Sequence, residues 1–377
     1  MKLLFVSNTF SFFLSHRLPI GNEAMRTGYS AAILSGHESN SEKDAIAKSS
    51  LVKNGFAVLQ AKFTASGVNP ISELIGLLSV MRRLSEFKPD VVHTASPKGN
   101  LYGGIAARLY RVPKLVVAVS GQGFLFTGKR SGWKAVLGGI YLRLIRWVYS
   151  HPNCTVIVQN RDDWDALLEQ GLVCRDQLVL IPGSGVDISA YEAAARSVPD
   201  SIVLLPARLL ADKGVHEFVD AAQRLRWPGS TWRFVLAGEA DGSNPSAITS
   251  AQVAQWVDEG IVEWWGHCSD MPNIFAQAAI VCLPSYREGM PKALLEATAC
   301  GRPVVTTDVI GCREAIIDGE TGILVPVRDA EALAQALLRL MNDPALRERM
   351  GAAGRERAIR EFDIRAVVAK HLAIYAS

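Results

Sequence analysis

The 377-residue chain has no stretch of about 18 or more uncharged apolar residues, so no membrane-spanning helix is expected. Its six cysteines, Cys154, Cys174, Cys268, Cys282, Cys300 and Cys312, show neither C-x-x-C nor paired spacing. That argues against a zinc site or a disulfide framework and fits a reducing cytoplasm. No G-x-G-x-x-G opens either half and no P-loop sequence occurs, which disfavours a dinucleotide redox cofactor. Lysine and arginine are scattered, without the clustering and interleaved aromatics of a nucleic-acid binder. No metal-ligating cluster stands out, so chemistry without a metal or other cofactor is expected.

What is present is the composition of a globular protein, 49% hydrophobic and 20% charged. The length exceeds one ordinary core, and two domains are expected. The opening MKLLFVSNTF has the charge-then-apolar order of a secretion signal. Its apolar part is short and no small-residue cleavage site follows, so it reads as a buried first strand. The net charge of +3 hides an asymmetry: residues 1–185 hold 21 Lys and Arg against 12 Asp and Glu, leaving the remainder acidic. A basic first half suits an anionic membrane surface or a phosphorylated substrate, with chance asymmetry as the alternative.

Short apolar strands alternate with helical stretches throughout, the pattern of parallel α/β sheets. Lys2–Ser7, Tyr29–Ser35, Phe56–Gln60, Val91–His93, Lys114–Ser120, Cys154–Gln159 and Val179–Ile181 read as strands of the first half. Arg17–Thr27 and Glu73–Phe87 read as helices. Residues 129–150 combine five basic residues, no acid and two tryptophans, Trp133 and Trp147. This suits a helix on an anionic membrane surface, and equally a core helix with a solvated basic face. Asp163 and Asp165 form a D-x-D, but both fall in the first turn of a helix capped by Asn160, where acids complement the dipole. The alanine-rich stretch Ile188–Pro199 marks the expected boundary between domains, after residue 187.

The α/β alternation restarts at Ile202–Pro206. Arg208 follows that strand and Lys213 precedes a helix, in the crevice where open parallel sheets bind ligands. Two cations there could neutralise a diphosphate leaving group. Further on, Ala279–Pro284 reads as a buried strand, Glu288 lies in the loop after it, and Pro291 is placed to open a helix carrying Glu296 on its second turn. Two acids beside a helix start suit a phosphate that carries hydroxyl-rich groups on both sides, as a nucleotide sugar does.

Arg208, Lys213, Glu288, the Gly289–Pro291 turn and Glu296 have the spacing of a known family. The segments PARLLADKGVHEFVDAA, GHCSDMPNIFAQA, LPSYREGMPKALLEATACGRPVV and REAIIDGETGILVP resemble the family 4 glycosyltransferases, which have GT-B architecture and retain anomeric configuration. FLSHRLPI, HTASPKGNLYGGIAARL, SGQGFLFTG, TVIVQNRDDWDALLEQGLV and LIPGSGVD look more loosely like the branch acting on polyprenyl-diphosphate-linked sugars in bacterial surface-glycan synthesis. The resemblance implies two Rossmann-like α/β domains with parallel sheets facing a central cleft. An acceptor domain would span residues 1–187, a nucleotide-sugar domain residues 188–360, and a C-terminal helix at 361–377 would pack back on the first.

The resemblance also assigns roles. Arg208 and Lys213 would hold the donor diphosphate, and Glu288 with the N–H groups of Gly289 and Met290 would contact the transferred sugar. Glu296 would bind the ribose, the region His267–Met271 would frame the base, and the Gly238–Glu239 turn would lie near the nucleotide. His16, Arg17 and Lys98 would face the acceptor. Ser120-Gly121 stands where many members carry a histidine, and serine cannot replace an imidazole as proton acceptor; His93 is either its substitute or a structural histidine. The implied activity is transfer of an N-acetylated hexose from a UDP-sugar to a lipid-linked acceptor at the inner face of the cytoplasmic membrane. A UDP-sugar epimerase of the same fold and a non-catalytic nucleotide-sugar-binding partner are the rivals.

Overall fold

The computed structural model describes residues 1–36, 42–64, 69–119, 133–196, 201–240, 244 and 246–377; of Trp133–Leu137 it describes the backbone alone. The chain forms two compact units, Met1–Ser184 together with Val367–Ser377, and Gly185–Ala366. The first boundary therefore falls before the expected residue 187. Val186 N–H bonds the Phe362 carbonyl at 2.8 Å and Ile364 N–H bonds the Val186 carbonyl at 3.0 Å, which ties this stretch into the second unit. Phe362 is buried in that unit's core, so the return to the first unit begins at Val367 and not at residue 361.

The first unit holds seven parallel strands, β1 (Lys2–Ser7), β2 (Ser30–Ser35), β3 (Ala57–Gln60), β4 (Val91–Ala95), β5 (Lys114–Val119), β6 (Cys154–Val158) and β7 (Leu178–Leu180), in the order β3-β2-β1-β4-β5-β6-β7. The opening residues are thus a central strand, as their apolar run predicts. Central strands buried on both faces read as continuous apolar runs, because helices cover each side. Leu4 and Val6 join the core on one side, while Phe5, on the other, packs edge-on against Phe13 at 4.9 Å.

One predicted helix, Arg17–Thr27, is in fact the second of two. Phe10–His16 starts at Thr9, whose hydroxyl accepts the Phe12 N–H at 3.2 Å, and Leu18–Arg26 follows after a break at Arg17. Pro19 causes the break: it has no N–H to continue the first helix and restricts the residue before it. The helix Trp133–Tyr149 occupies most of the basic stretch 129–150. Of the D-x-D, Asp163 has the expected structural role in the first turn of the helix Arg161–Glu169: its N–H bonds Asn160 Oδ1 at 2.7 Å, and Asn160 Nδ2 donates to its Oδ2 at 2.9 Å, whereas Asp165 lies beyond that turn.

The second unit holds β8 (Ile202–Pro206), β9 (Arg233–Ala237), β10 (Glu263–Gly266), β11 (Ile280–Leu283), β12 (Val304–Thr307) and β13 (Gly322–Val325), parallel and in the order β10-β9-β8-β11-β12-β13. Along β8, Val203 and Leu205 enter the core on one face and Ile202 and Leu204 the core on the other. The described part of the expected boundary stretch, residues 188–196, is not a free linker. Ser189–Tyr191 forms a 3-10 turn and Glu192–Ala195 a helical turn, and the Tyr191 ring is buried edge-on to Phe275 at 6.3 Å.

Candidate donor site

In the second sheet the strand order reverses between β8 and β11, which pair directly through Ile280 with Val203 and Val281 with Leu204. Loops leaving the carboxyl ends of two such strands diverge, and the crevice between them is where α/β sheets bind ligands. Arg208 and Lys213 leave β8 on one side, and Glu288 leaves β11 on the other. Gly214 makes their approach possible. Its φ is +72°, and a Cβ there would lie 2.1 Å from the Pro284 carbonyl oxygen, so only glycine brings the loops this close.

Lys213 Nζ forms an ion pair with Glu288 Oε1, the side chains 19% and 14% exposed. Ser285 Oγ donates to the same oxygen at 2.8 Å, and the Thr307 hydroxyl holds the Ser285 carbonyl. Backbone bonds fix the loop from both sides: Tyr286 N–H to the Asp212 carbonyl at 2.9 Å, and Glu288 N–H to the Ile310 carbonyl at 3.1 Å. Gly311, φ +81°, lets the neighbouring chain pass; a Cβ would sit 2.5 Å from the Glu288 carbonyl oxygen. Beneath lies the buried Cys312 thiol, pushed up to about 12 by burial and then by the Glu288 carboxylate.

Gly289 is half-buried and Met290 is in the core, so Met290 can offer a ligand only its backbone. Pro291 differs from expectation. It is the extended N-cap residue, φ −71° and ψ 113°, and the helix itself runs Lys292–Ala299. Glu296 still falls on the second turn, 7% exposed, with Lys292 Nζ 3.4 Å from its Oε1. The Tyr191 hydroxyl hydrogen-bonds Glu296; burial first, and this carboxylate second, hold that phenol far above its usual range.

The other expected donor residues also come from carboxyl-end loops. Glu239, after β9, accepts the Leu209 N–H on its carbonyl at 2.8 Å, joining that turn to the Arg208 loop. Gly238 has no room for a side chain, since a Cβ would meet the Ala207 carbonyl, and its own carbonyl accepts Trp264 Nε1–H at 2.9 Å. His267, after β10, is exposed, with Nδ1 3.7 Å from Glu239 Oε1. Met271 is half-buried at the start of the helix Met271–Gln277. Ser285 and Tyr191 were not legible as site residues: a serine after a strand and a tyrosine in an alanine-rich stretch carry no spacing signal.

The expected acceptor residues fare differently. His16 is half-buried and stacks on Phe12 at 4.8 Å. Lys98 Nζ pairs with Glu73 Oε1 at 2.7 Å, and that carboxylate also takes the Tyr102 hydroxyl. His93 is a structural histidine. It is 1% exposed, its Nδ1 lies 2.5 Å from the Tyr375 hydroxyl, and its ring stacks on His371 at 5.5 Å. Burial first, then His371 and Arg17, hold its imidazole well below the usual range. Arg17, 3% exposed, is inside the same cluster, its Nε and Nη1 making no hydrogen bond. Neither can present a charge to an acceptor, because the returning C-terminal helix covers them. Ser120 and Gly121 lie outside the described residues.

Paired cations and a fixed carboxylate at the switch point of one doubly wound sheet, in a chain with a second such sheet, define a GT-B glycosyltransferase. Family comparison agrees: the model "Glycosyl transferase 4-like" matches residues 2–159 and "Glycosyl transferases group 1" matches residues 200–343. The chain is similar to an alpha-maltose-1-phosphate synthase of Mycobacterium tuberculosis, 30% identical over 76% of this chain and 78% of that one. It is also similar to the N,N'-diacetylbacillosaminyl-diphospho-undecaprenol alpha-1,3-N-acetylgalactosaminyltransferase of Campylobacter jejuni, 26% identical over 85% of this chain and 86% of the relative. HepE of Anabaena, solved with UDP and glucose, superposes with a TM-score of 0.78 at 19% identity, covering 100% of this chain and 99% of that one. The chain belongs to the group 1, family 4-like glycosyltransferases and is a glycosyltransferase.

Proposed function

We propose that the protein is a retaining transferase that moves an N-acetylated hexose from a UDP-sugar to a polyprenyl-diphosphate-linked saccharide in surface-glycan synthesis. The observation that carries the reading is the Lys213–Glu288 pair at the β8/β11 switch point, with Arg208 on the same loop as Lys213. The printed acceptor and sugar of the Campylobacter relative support the substrate class, and the UDP in the Anabaena structure supports the nucleotide.

In this mechanism Arg208 and Lys213 face the donor diphosphate and stabilise the charge that builds as the bond from the anomeric carbon to the phosphate oxygen breaks. Ser285 and Lys213 fix one oxygen of Glu288, so the carboxylate is held for a hydroxyl of the transferred sugar, and Glu296 grips the ribose. The acceptor oxygen bonds the anomeric carbon on the face the diphosphate leaves, and its proton passes to the departing diphosphate oxygen. No protein base is required, and the two cations take the place of a divalent metal. The cytoplasmic membrane surface is the proposed place of action.

The test is incubation of the pure enzyme with a panel of UDP-sugars and a lipid-linked acceptor. Expected is a disaccharide with the donor's anomeric configuration, formed at an unchanged rate in EDTA. No transfer from any UDP-sugar, where a control enzyme gives product, would overturn the reading.

A further inference from the structure

The helix Pro70–Phe87 buries one side and leaves a second apolar side in water. Val80 and Leu84 enter the core of the first unit, and Gly76 packs so closely that a Cβ would lie 2.8 Å from the Phe63 Cβ. On the opposite side Ile71, Leu74, Ile75 and Leu78 are 72%, 57%, 48% and 54% exposed. Their i, i+3, i+4, i+7 spacing makes one stripe, because residues three and four apart share a helix face. Four large aliphatic side chains in line are not the scattered surface apolar residues of an ordinary domain, and a stripe of this kind calls for a partner.

Charge identifies that partner. The stripe runs on into Arg82, whose side chain is 77% exposed. Arg83 lies beside it, Lys88 caps the helix end, and the exposed Lys62 N–H bonds Ser79 Oγ at 3.0 Å, placing that lysine alongside. The helix has two acids, and both are neutralised: Glu73 by Lys98, and Glu86 by Arg82 and Arg83. Lys62 and Lys88 have no carboxylate partner among the described residues. The surround is therefore cationic, within a half-chain that is itself basic. Four side chains fall well short of the roughly 20–30 residues a side of a stable protein–protein interface. An apolar stripe flanked by lysine and arginine is the arrangement that lies in the headgroup region of an anionic bilayer.

We propose that this stripe docks the protein on an anionic phospholipid bilayer. The helix follows the carboxyl end of β3, and its Glu73 is tied to Lys98 in the helix that follows β4. Docking thus brings the carboxyl edge of the first sheet, the edge where such sheets bind ligands, towards the lipid. A polyprenyl-linked acceptor reaches the enzyme from there, a consequence that rests on the function proposed above. The helix Trp133–Tyr149, with exposed Ile140, Leu144 and Trp147, is the rival face.

The test is flotation of the full-length protein with vesicles of phosphatidylethanolamine and phosphatidylglycerol, against vesicles of phosphatidylcholine alone. Expected is binding to the first and little to the second, at least about tenfold weaker in the double variant Leu74→Glu/Leu78→Glu and little changed in Ile140→Glu/Leu144→Glu. Both pairs are exposed, so equal melting temperatures will show the fold intact. Equal flotation of Leu74→Glu/Leu78→Glu and the parent would overturn the proposal. So would a parent dimer that this variant alone breaks in sedimentation, since the stripe then belongs to a second copy. Transfer to a short-chain, water-soluble acceptor separates the two readings. Its absence in the parent, with flotation intact, counts against the proposed substrates and leaves the docking surface standing.

Discussion

Glu288 Oε1 is held by Lys213 Nζ, 75 residues earlier in the chain, across the point where the second sheet changes direction. A carboxylate that is mostly out of water is fixed by its cation, so each partner depends on the other. Glu288→Gln and Lys213→Ala should each lower kcat by about a hundredfold to a thousandfold, the cost of one misplaced electrostatic group. Their double variant should lose far less than the product of the two, because the groups act as a unit. Strictly additive losses in steady-state kinetics would show that the pair is not one device.

Tyr191 offers a finer test. It hydrogen-bonds Glu296, so under the function proposed above it is a positioning residue for the ribose. Tyr191→Phe keeps the buried ring and removes one hydrogen bond worth about 1 kcal/mol. The donor KM should rise roughly fivefold with kcat nearly unchanged, and Glu296→Gln should raise it further. A fall in kcat at constant KM would place Glu296 nearer the chemistry.

Gly214 is a backbone position, and its substitution should act on structure as well as rate. Gly214→Ala meets the Pro284 carbonyl and a left-handed φ together, a combination expected to cost more than the roughly 1 kcal/mol of backbone strain alone. Loss of UDP-induced thermal stabilisation, alongside a lower melting temperature of the second unit, is the expected result. A variant that binds UDP like the parent would mean the two loops need not touch.

The buried histidines predict how acid acts on the first unit. His371 is pushed down to about 3 by burial and by Arg17, and His93 lies well below its usual range by burial, His371 and Arg17. Both are bases with folded values below their unfolded ones near 6.5, so the folded state binds fewer protons. Their stabilisation is complete above about pH 6.5 and is lost as pH falls below it, for His371 down to about 3, by up to about 1.4 kcal/mol per pH unit for each ring. Melting of the first unit should drop between pH 7 and 5, less steeply in His371→Phe. An identical slope in that variant would assign the acid sensitivity elsewhere.

The alternation of strands and helices and the loops that carry Arg208, Lys213, Glu288 and Glu296 were legible in the chain. Each is a local pattern: an apolar run, a glycine, a charged residue at a strand end. Local patterns also predicted the Asn160 cap, because Asn160 and Asp163 satisfy one another within a single turn. They misplaced Pro291 by one helical position, since a proline fits the cap and the first turn alike.

What tertiary structure alone decided is everything that depends on a partner distant in sequence. Arg17 and His93 carry the residue types of an acceptor site, yet the C-terminal helix returns with His371 and Tyr375 and buries them. Tyr191 sits in a stretch composed like a linker, and only the packing of Phe275 and Glu296 around it makes it part of a site. Ile71 through Leu78 spell an amphipathic helix whichever side is buried, and only the close approach of Phe63 to Gly76 selects the side left in water. Spacing along the chain fixes which side chains share a face; which face meets protein, ligand or lipid is set by contacts the spacing does not encode.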